Sequence, residues 1–81
     1  MSPDRERFER LVLPLQRDLA FAARAFARQE ADAADLVQET LLKAWRSFES
    51  FNRGDHLKAW LFTILRNTWL DRCRARKQEP A

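Results

Sequence analysis

The sequence contains only one cysteine, one histidine and one glycine among its 81 residues, and it has no tyrosine. The single cysteine, Cys73, cannot form a disulfide within the chain, which fits a reducing compartment. One cysteine and one histidine are too few for a metal site of the usual zinc type. A single glycine also argues against a glycine-rich phosphate-binding loop. We therefore expect neither a metal nor a cofactor.

Long hydrophobic runs are absent too. No apolar stretch approaches the roughly 18 residues that a membrane span needs. The first five residues include the charged Asp4 and Arg5 and do not resemble a secretion signal, so a cytoplasmic location is expected. The only histidine, His56, lies in a predicted loop, where histidines are more often solvated than catalytic. Enzyme function has almost no support, and we expect the chain not to be an enzyme.

Charge is distributed unevenly along the chain. The net charge is +3, but residues 1–65 hold equal numbers of basic and acidic residues, so the whole excess lies in residues 66–81. A local basic stripe is typical of a surface that contacts phosphate backbones. A solvated helix end explains it as well, because cations also suit the negative end of a helix dipole. Charge alone leaves the two explanations about even.

The chain is predicted to be all-α, a compact bundle of three to four helices, because no segment alternates apolar and polar residues over the length of a strand. The first helix is predicted to start at Ser2, with Pro3 at its first helical position. Its apolar stripe consists of Phe8, Leu11, Val12 and Leu15 and continues through Leu19, Ala22, Ala23 and Phe26. Pro14 lacks an amide hydrogen, so the helix should kink or restart there.

The second helix is predicted to begin near Asp32, since Asp32 and Asp35 have the spacing of a capping box. Its inner stripe consists of Val37, Leu41, Ala44, Trp45 and Phe48. Residues 49–56 include the only glycine and are predicted to form a loop. The third helix is predicted from about residue 57 to about residue 77. Its inner stripe consists of Leu57, Trp60, Leu61, Ile64 and Leu65.

The outer face of the predicted second helix is polar. It consists of Asp35, Gln38, Glu39, Leu42 and Arg46, opposite the inner stripe. One leucine among acids and amides suits a polar-rimmed surface on which another pair of helices docks. The alternative is a solvated face with one stray leucine, which needs no functional explanation. From these residues alone, the solvated face is favoured by about two to one.

The predicted loop and third helix combine aromatic and basic side chains. The aromatic residues are Phe51, Trp60, Phe62 and Trp69, and the basic ones are Arg53, Lys58, Arg66, Arg72, Arg74 and Arg76. Proteins that bind single-stranded nucleic acid place cations along the backbone and stack aromatics on bases, each stack contributing about 1–3 kcal/mol. The amide of Asn67 suits a base edge. Ordinary core packing is the alternative, and it explains Trp60 better than Phe62 or Trp69.

Two segments carry a resemblance to a known family. The sequence DLVQETLLKAW at residues 35–45 resembles the polymerase-binding segment of sigma factors. The sequence LKAWLFTILRNT at residues 57–68 resembles their promoter-melting segment. The short loop between the two segments is similar to that of the extracytoplasmic-function (ECF) subfamily. The chain thus resembles region 2 of an ECF sigma factor over nearly its whole length.

The resemblance implies a role in bacterial transcription initiation. The outer face of the second helix would dock on the clamp coiled coil of the β′ subunit of RNA polymerase. Polar contacts would come from Asp35, Gln38 and Glu39, with Leu42 and Arg46 as neighbours. Anti-sigma factors are a further partner that the resemblance implies. The chain is expected to be a monomer on its own, and polymerase would perform all covalent chemistry.

The resemblance also implies that the loop and third helix bind the non-template strand of the promoter −10 element. Phe51, Ile64 and Asn67 match positions of a pocket that receives an unstacked base. Extracting that base costs a few kcal/mol, which contacts in the pocket can offset. Phosphates would be held by Lys43, Lys58, Arg66, Arg72 and Arg74. Such contacts add affinity without sequence information.

The chain departs from the family pattern in two places. Its glycine, Gly54, lies one residue farther from Phe51 than in many relatives, which shifts the loop tip and puts the preferred base in doubt. The helix-turn-helix domain that reads the −35 element (region 4) is not in this sequence. Residues 1–78 are therefore expected to form region 2, and residues 79–81 to begin a linker. The chain would be an excised domain or an unusually short protein.

Two other classes of function stay open at this point. A helix-turn-helix regulator of duplex DNA needs a short recognition helix, whereas the predicted third helix has about twenty residues. An adaptor bundle without nucleic-acid contact would use only the outer face of the second helix. A preference for duplex over single-stranded DNA would favour the regulator. Replacing Arg66, Arg72 and Arg74 with alanine would leave the binding of an adaptor unchanged, whereas a sigma domain would lose its DNA binding.

Overall fold

The computed structural model of the chain describes residues 3–51 and 56–78. These residues form four α-helices, and none of them lies in a strand, so the predicted all-α fold of three to four helices is confirmed. The helices are α1 (Pro3–Val12), α2 (Gln16–Phe26), α3 (Glu30–Arg46) and α4 (Leu57–Gln78), with short 3-10 helices at Leu13–Leu15 and Phe48–Ser50. The predicted helix start at Ser2, the loop tip at residues 52–55 and the predicted linker at residues 79–81 lie outside the described residues.

The break between α1 and α2 lies at Pro14, as predicted. A proline removes one helical hydrogen bond and its ring clashes with the preceding turn, so the chain passes through a 3-10 helix instead. The α-helix resumes at Gln16, whose backbone N–H donates to the oxygen of Leu13. The break also turns two leucines outward. Leu13 is 51% exposed, and Leu11, predicted in the inner stripe, is 36% exposed.

The start of α3 differs from the prediction. The helix begins at Glu30, and its N-cap Gln29 makes no side-chain capping bond, so the predicted capping box at Asp32 is wrong. Glu30 instead pairs with Arg24 at the end of α2, with Nε and Oε1 3.2 Å apart. Acidic side chains in the first turn also suit the positive end of the helix dipole. Asp32 lies inside this first turn and its carboxylate is 3.9 Å from Arg76 of α4.

The buried side of α3 is rotated relative to the predicted stripe. Val37, Ala44 and Phe48 are buried as predicted, but Leu41 is only partly buried and Trp45 is 39% exposed. The centre of the buried side is formed by Leu36 and Thr40, which are fully buried. The reason is that α3 packs most extensively against α2 and α4, on one side, and less against α1.

Helix α4 packs mainly against α3 and less extensively against α2. Leu61 and Leu65 are buried as predicted, whereas Leu57, Trp60 and Ile64 of the predicted inner stripe are only partly buried. Thr68, which is not part of that stripe, is buried as well. Phe26, predicted in the inner stripe, is 39% exposed and stacks on Trp69 with ring centroids 6.2 Å apart. Lys58 lies 5.7 Å above the ring of Phe62. Phe62 and Trp69 are also partly buried, because both pack against the hydrophobic core.

No helix in the described segments is both long enough and apolar enough to cross a lipid bilayer. Helix α4 has 22 residues, which would suffice in length, but it carries charged side chains along most of that length. Its length also differs from the short recognition helix that a helix-turn-helix regulator needs.

Candidate nucleic-acid and polymerase interface

The outer face of α3 is accessible to a partner. Asp35, Gln38, Leu42 and Arg46 are exposed, and half of the surface of Leu42 is open to solvent. Glu39 is only partly exposed because its carboxylate lies toward α4. Helical periodicity explains why these five positions share one face, opposite the core side of Leu36 and Thr40. Their predicted contact with RNA polymerase stays a prediction.

A groove adjoins this outer face on the α1 side. It has a volume of about 590 Å³ and an apolar lining that includes Phe8, Leu13, Leu41, Leu42 and Trp45. Gln38 and Glu39 lie at its polar rim. The periodicity of α3 places Trp45 in the core and therefore misses this groove. Trp45 instead lines the groove beside Phe8 of α1, whose ring packs edge-on against it at 5.3 Å. This position can be recognised only once α1 is placed against α3.

A second concavity, the α3–α4 cleft, lies on the opposite edge of the outer face. It has a volume of about 310 Å³ and is lined by Lys43, Arg46, Ser47, Ile64, Asn67 and Thr68. The cleft brings together Ile64 and Asn67, both predicted for a base pocket, and Lys43, predicted for a phosphate. Ser47 and Thr68 are additional lining residues that the sequence does not indicate. Arg46, predicted for polymerase, also faces this cleft.

Phe51, the third predicted pocket residue, is not among the described residues that line the cleft. Its ring lies between Phe48, at 6.2 Å, and Trp60, at 5.1 Å. Phe51 is partly buried and anchors the end of the 3-10 helix at Phe48–Ser50 against the first turn of α4. The next four residues, including Gly54 with its predicted shift of the loop tip, fall outside the described part of the chain.

The predicted phosphate-binding cations differ in their partners and in their exposure. Lys58 pairs with Asp18 of α2 at 3.3 Å, whereas Arg72 donates two hydrogen bonds to Glu39 of α3, at 3.0 and 2.8 Å. Arg66 is exposed. Arg74 is also exposed and lies 3.5 Å from Asp71 one turn earlier in α4. Their predicted contacts with phosphates stay predictions.

Lys43 is one of two cations that line the cleft, with Arg46. Its ammonium donates to the hydroxyl of Thr68 at 3.2 Å and lies 4.0 Å from a carboxylate oxygen of Glu39. Thr68 is 1% exposed, so its hydroxyl is held by the packing of α4 against α3. Within the described residues, no buried side-chain nitrogen or oxygen lacks a hydrogen-bond partner. The polar wall of the cleft is thus an ordered network.

Comparison with known proteins identifies the family. Residues 11–79 match sigma-70 region 2. The chain belongs to this family. It is 53% identical over 60 residues to the ECF RNA polymerase sigma factor EcfG of Rhodopseudomonas palustris, covering 69% of this chain and 33% of the relative. It is 39% identical over 67 residues to the ECF sigma factor SigG of Mycobacterium tuberculosis, covering 83% of this chain and 18% of the relative.

A solved structure agrees with this assignment. The region 2 chain superposes with a TM-score of 0.83 on the sigma factor RpoE from Bartonella quintana, in a co-crystal structure with the anti-sigma factor NepR. The two are 42% identical, and the match covers 88% of this chain and 44% of RpoE. The chain thus spans less than half of each of these relatives. The predicted resemblance to region 2 of ECF sigma factors is confirmed, whereas the roles of individual residues remain predictions.

Proposed function

We propose that this chain is the region 2 domain of an ECF sigma factor and that it acts in transcription initiation. Residues 1–78 form the domain and residues 79–81 begin the linker to a region 4 domain. The domain brings promoter DNA to RNA polymerase, which performs all covalent chemistry. The α3–α4 cleft carries the proposal, because it combines an apolar wall, an amide and two cations in a chain of this family.

The cleft captures an unstacked base of the non-template strand of the −10 element. Ile64 supplies an apolar surface for the base, and the amide of Asn67 can both donate to and accept from its edge. Lys43 and Arg46 lie beside them, where they can contact the phosphates that flank the captured base. Phe51, whose ring lies between those of Phe48 and Trp60, is the third residue of the proposed base site, outside the cleft itself. Binding a base in this way offsets the few kcal/mol needed to unstack it.

The outer face of α3 docks on the clamp coiled coil of the β′ subunit. Asp35 and Gln38 provide exposed polar contacts, and Leu42 provides an apolar one that continues into the α1–α3 groove. A polar-rimmed surface with an apolar centre is typical of a non-obligate protein interface. An anti-sigma factor that covers this same face would compete with polymerase, and the complex of the related RpoE with NepR motivates that part of the proposal.

The test is strand preference. A single-stranded sequence is selected from a random oligonucleotide pool, and its affinity for the chain is measured by fluorescence anisotropy beside that of its scrambled version and its duplex. We expect the selected strand to bind about tenfold or more tightly than the duplex, because the duplex must first unpair. Preference for the duplex would instead favour a helix-turn-helix regulator. Absence of DNA binding together with retained polymerase binding would favour an adaptor.

A further inference from the structure

Glu39 belongs to the outer face of α3 by sequence, but its carboxylate is bound from the α4 side. The guanidinium of Arg72 donates to Oε2 from Nε at 3.0 Å and from Nη2 at 2.8 Å. The Arg72 side chain is only 25% exposed. Its remaining Nη1 lies 3.5 Å from the backbone oxygen of Asp32. Charge-assisted bonds from two nitrogens of one guanidinium hold a carboxylate more firmly than a single bond does.

The other oxygen of the same carboxylate faces Lys43, one turn later in α3. Oε1 of Glu39 is 4.0 Å from the ammonium of Lys43, which in turn donates to Thr68. Lys43 lines the cleft together with Ile64 and Asn67. Glu39 therefore lies between one cation that anchors it and a second cation that it faces.

This arrangement restricts a side chain that is otherwise mobile. A lysine is a compact charge on a flexible stem, and fixing it costs up to about 2 kcal/mol of rotamer entropy. A carboxylate and a hydroxyl that are already ordered reduce the number of positions that the Lys43 ammonium occupies before any ligand arrives. A positioned cation fixes the register of the strand backbone, so that Ile64 and Asn67 can read one particular base, whereas an unrestrained cation attracts the phosphates of any strand in any register.

We infer that Glu39 is a positioning residue of the cleft. Anchored by Arg72, it holds Lys43 beside Ile64 and Asn67, so that the cleft prefers one sequence of unpaired strand over others. The inference rests on the proposed function, since it requires the cleft to bind single-stranded DNA. It also gives Glu39 a role in DNA selection besides its predicted role in docking on polymerase.

Glu39→Gln tests the inference, because it keeps the shape of the side chain and removes its charge. The measured quantity is the ratio of the dissociation constants for the scrambled and the selected strand. We expect Glu39→Gln to lower this ratio about two- to fivefold, the range for loss of a part-exposed ion pair. Affinity for the scrambled strand should stay the same or rise, and the salt dependence should steepen because two cations are released. Circular dichroism checks that the variant is folded.

Two further variants distinguish the positioning of Lys43 by Glu39 from a general effect of removing one negative charge. Asp71→Asn removes an equal charge from α4, next to Arg72, but Asp71 contacts Arg74 and not Lys43. It should strengthen binding of both strands alike and leave their ratio unchanged. Lys43→Met removes the positioned cation and keeps an apolar stem. With methionine at position 43, Glu39→Gln should have no further effect on the ratio.

Three results would overturn the inference: an unchanged ratio in Glu39→Gln, an equal fall of the ratio in Asp71→Asn, or a full effect of Glu39→Gln in the presence of Lys43→Met. Failure of the proposed function is detected separately, by measuring the binding of both strands to the unmodified chain. If that chain does not distinguish the selected strand from the scrambled one, the cleft is not a site for selecting DNA and the inference falls with it.

Discussion

The outer face of α3 and its edge toward α4 differ in how they are built. On the outer face, Asp35, Gln38 and Leu42 are exposed simply because they lie opposite the core side of one helix. At the edge, Glu39 and Lys43 are held by residues 33 and 25 positions away in the chain. A single helix therefore produces the first surface, whereas the second exists only after α4 has packed. The difference suggests that the first surface tolerates substitution well and the second does not.

The largest expected effect concerns stability and contrasts the two sides of α3. Leu36 is fully buried and Leu42 is half exposed. Leu36→Ala removes a fully buried core side chain of α3, and it should lower the free energy of unfolding by about 2–5 kcal/mol. Leu42→Ala is the matched control and should lower it by less than about 0.5 kcal/mol. Urea denaturation followed by circular dichroism measures both. Similar losses for the two variants would mean that the outer face is part of the core.

A second effect concerns the apolar and amide wall of the cleft. Asn67→Ala should weaken binding of the selected single strand by about 1–3 kcal/mol, because a base edge loses its hydrogen-bonding partner. Asn67 is exposed, so stability should change little. Fluorescence anisotropy at fixed salt concentration measures the affinity.

Arg74→Ala is the control for the Asn67 variant. Arg74 is exposed on α4, beyond the cleft, and is predicted to contact a phosphate. Its loss should weaken the selected and scrambled strands equally and reduce the salt slope by about one. If Asn67→Ala behaved in the same way, Asn67 would contribute no sequence selection and the base pocket would have to lie elsewhere.

A third effect separates the two surfaces functionally. Leu42→Ala should weaken binding to core RNA polymerase by about 1–2 kcal/mol, as expected for an apolar anchor near the centre of an interface. Binding of the selected single strand should not change, because Leu42 does not line the α3–α4 cleft. The reverse pattern is expected for Asn67→Ala. A variant that impaired both activities while remaining folded would show that the two surfaces are not independent.

The sequence predicts the outer face well because its geometry depends on one helix. Asp35, Gln38 and Leu42 need only a period of 3.6 residues to be placed together, and they are exposed as expected. Ile64 and Asn67 likewise fall on one side of α4, and the cleft contains both. The kink at Pro14 follows from a missing amide hydrogen.

Features that depend on two helices are not predicted from the sequence. The pairing of Glu39 with Arg72 joins residues that the resemblance assigns to different partners, and no spacing rule relates them. The exposure of Trp45 follows from how α1 lies across α3. These two features depend on tertiary packing, which overrides local preference. The start of α3 at Glu30 is not predicted either, because its N-cap Gln29 makes no side-chain capping bond that a sequence pattern would indicate.

The smallest expected effect probes the hydroxyl behind Lys43. Thr68→Val keeps the buried volume of α4 but removes the oxygen that accepts from the Lys43 ammonium. Because Lys43 remains near Glu39 and solvent, stability should fall by only about 0.5–1.5 kcal/mol. The ratio of the dissociation constants for the scrambled and the selected strand should fall about twofold.

Thr40→Val is the matched control. Thr40 is equally buried, but its hydroxyl donates to the backbone oxygen of Leu36 within α3, at 2.7 Å, and does not touch the cleft. It should leave strand preference unchanged. If Thr40→Val lowered strand preference as much as Thr68→Val, the ordered wall of the cleft would owe nothing to the contact between α3 and α4, and the two surfaces of α3 would not differ in origin.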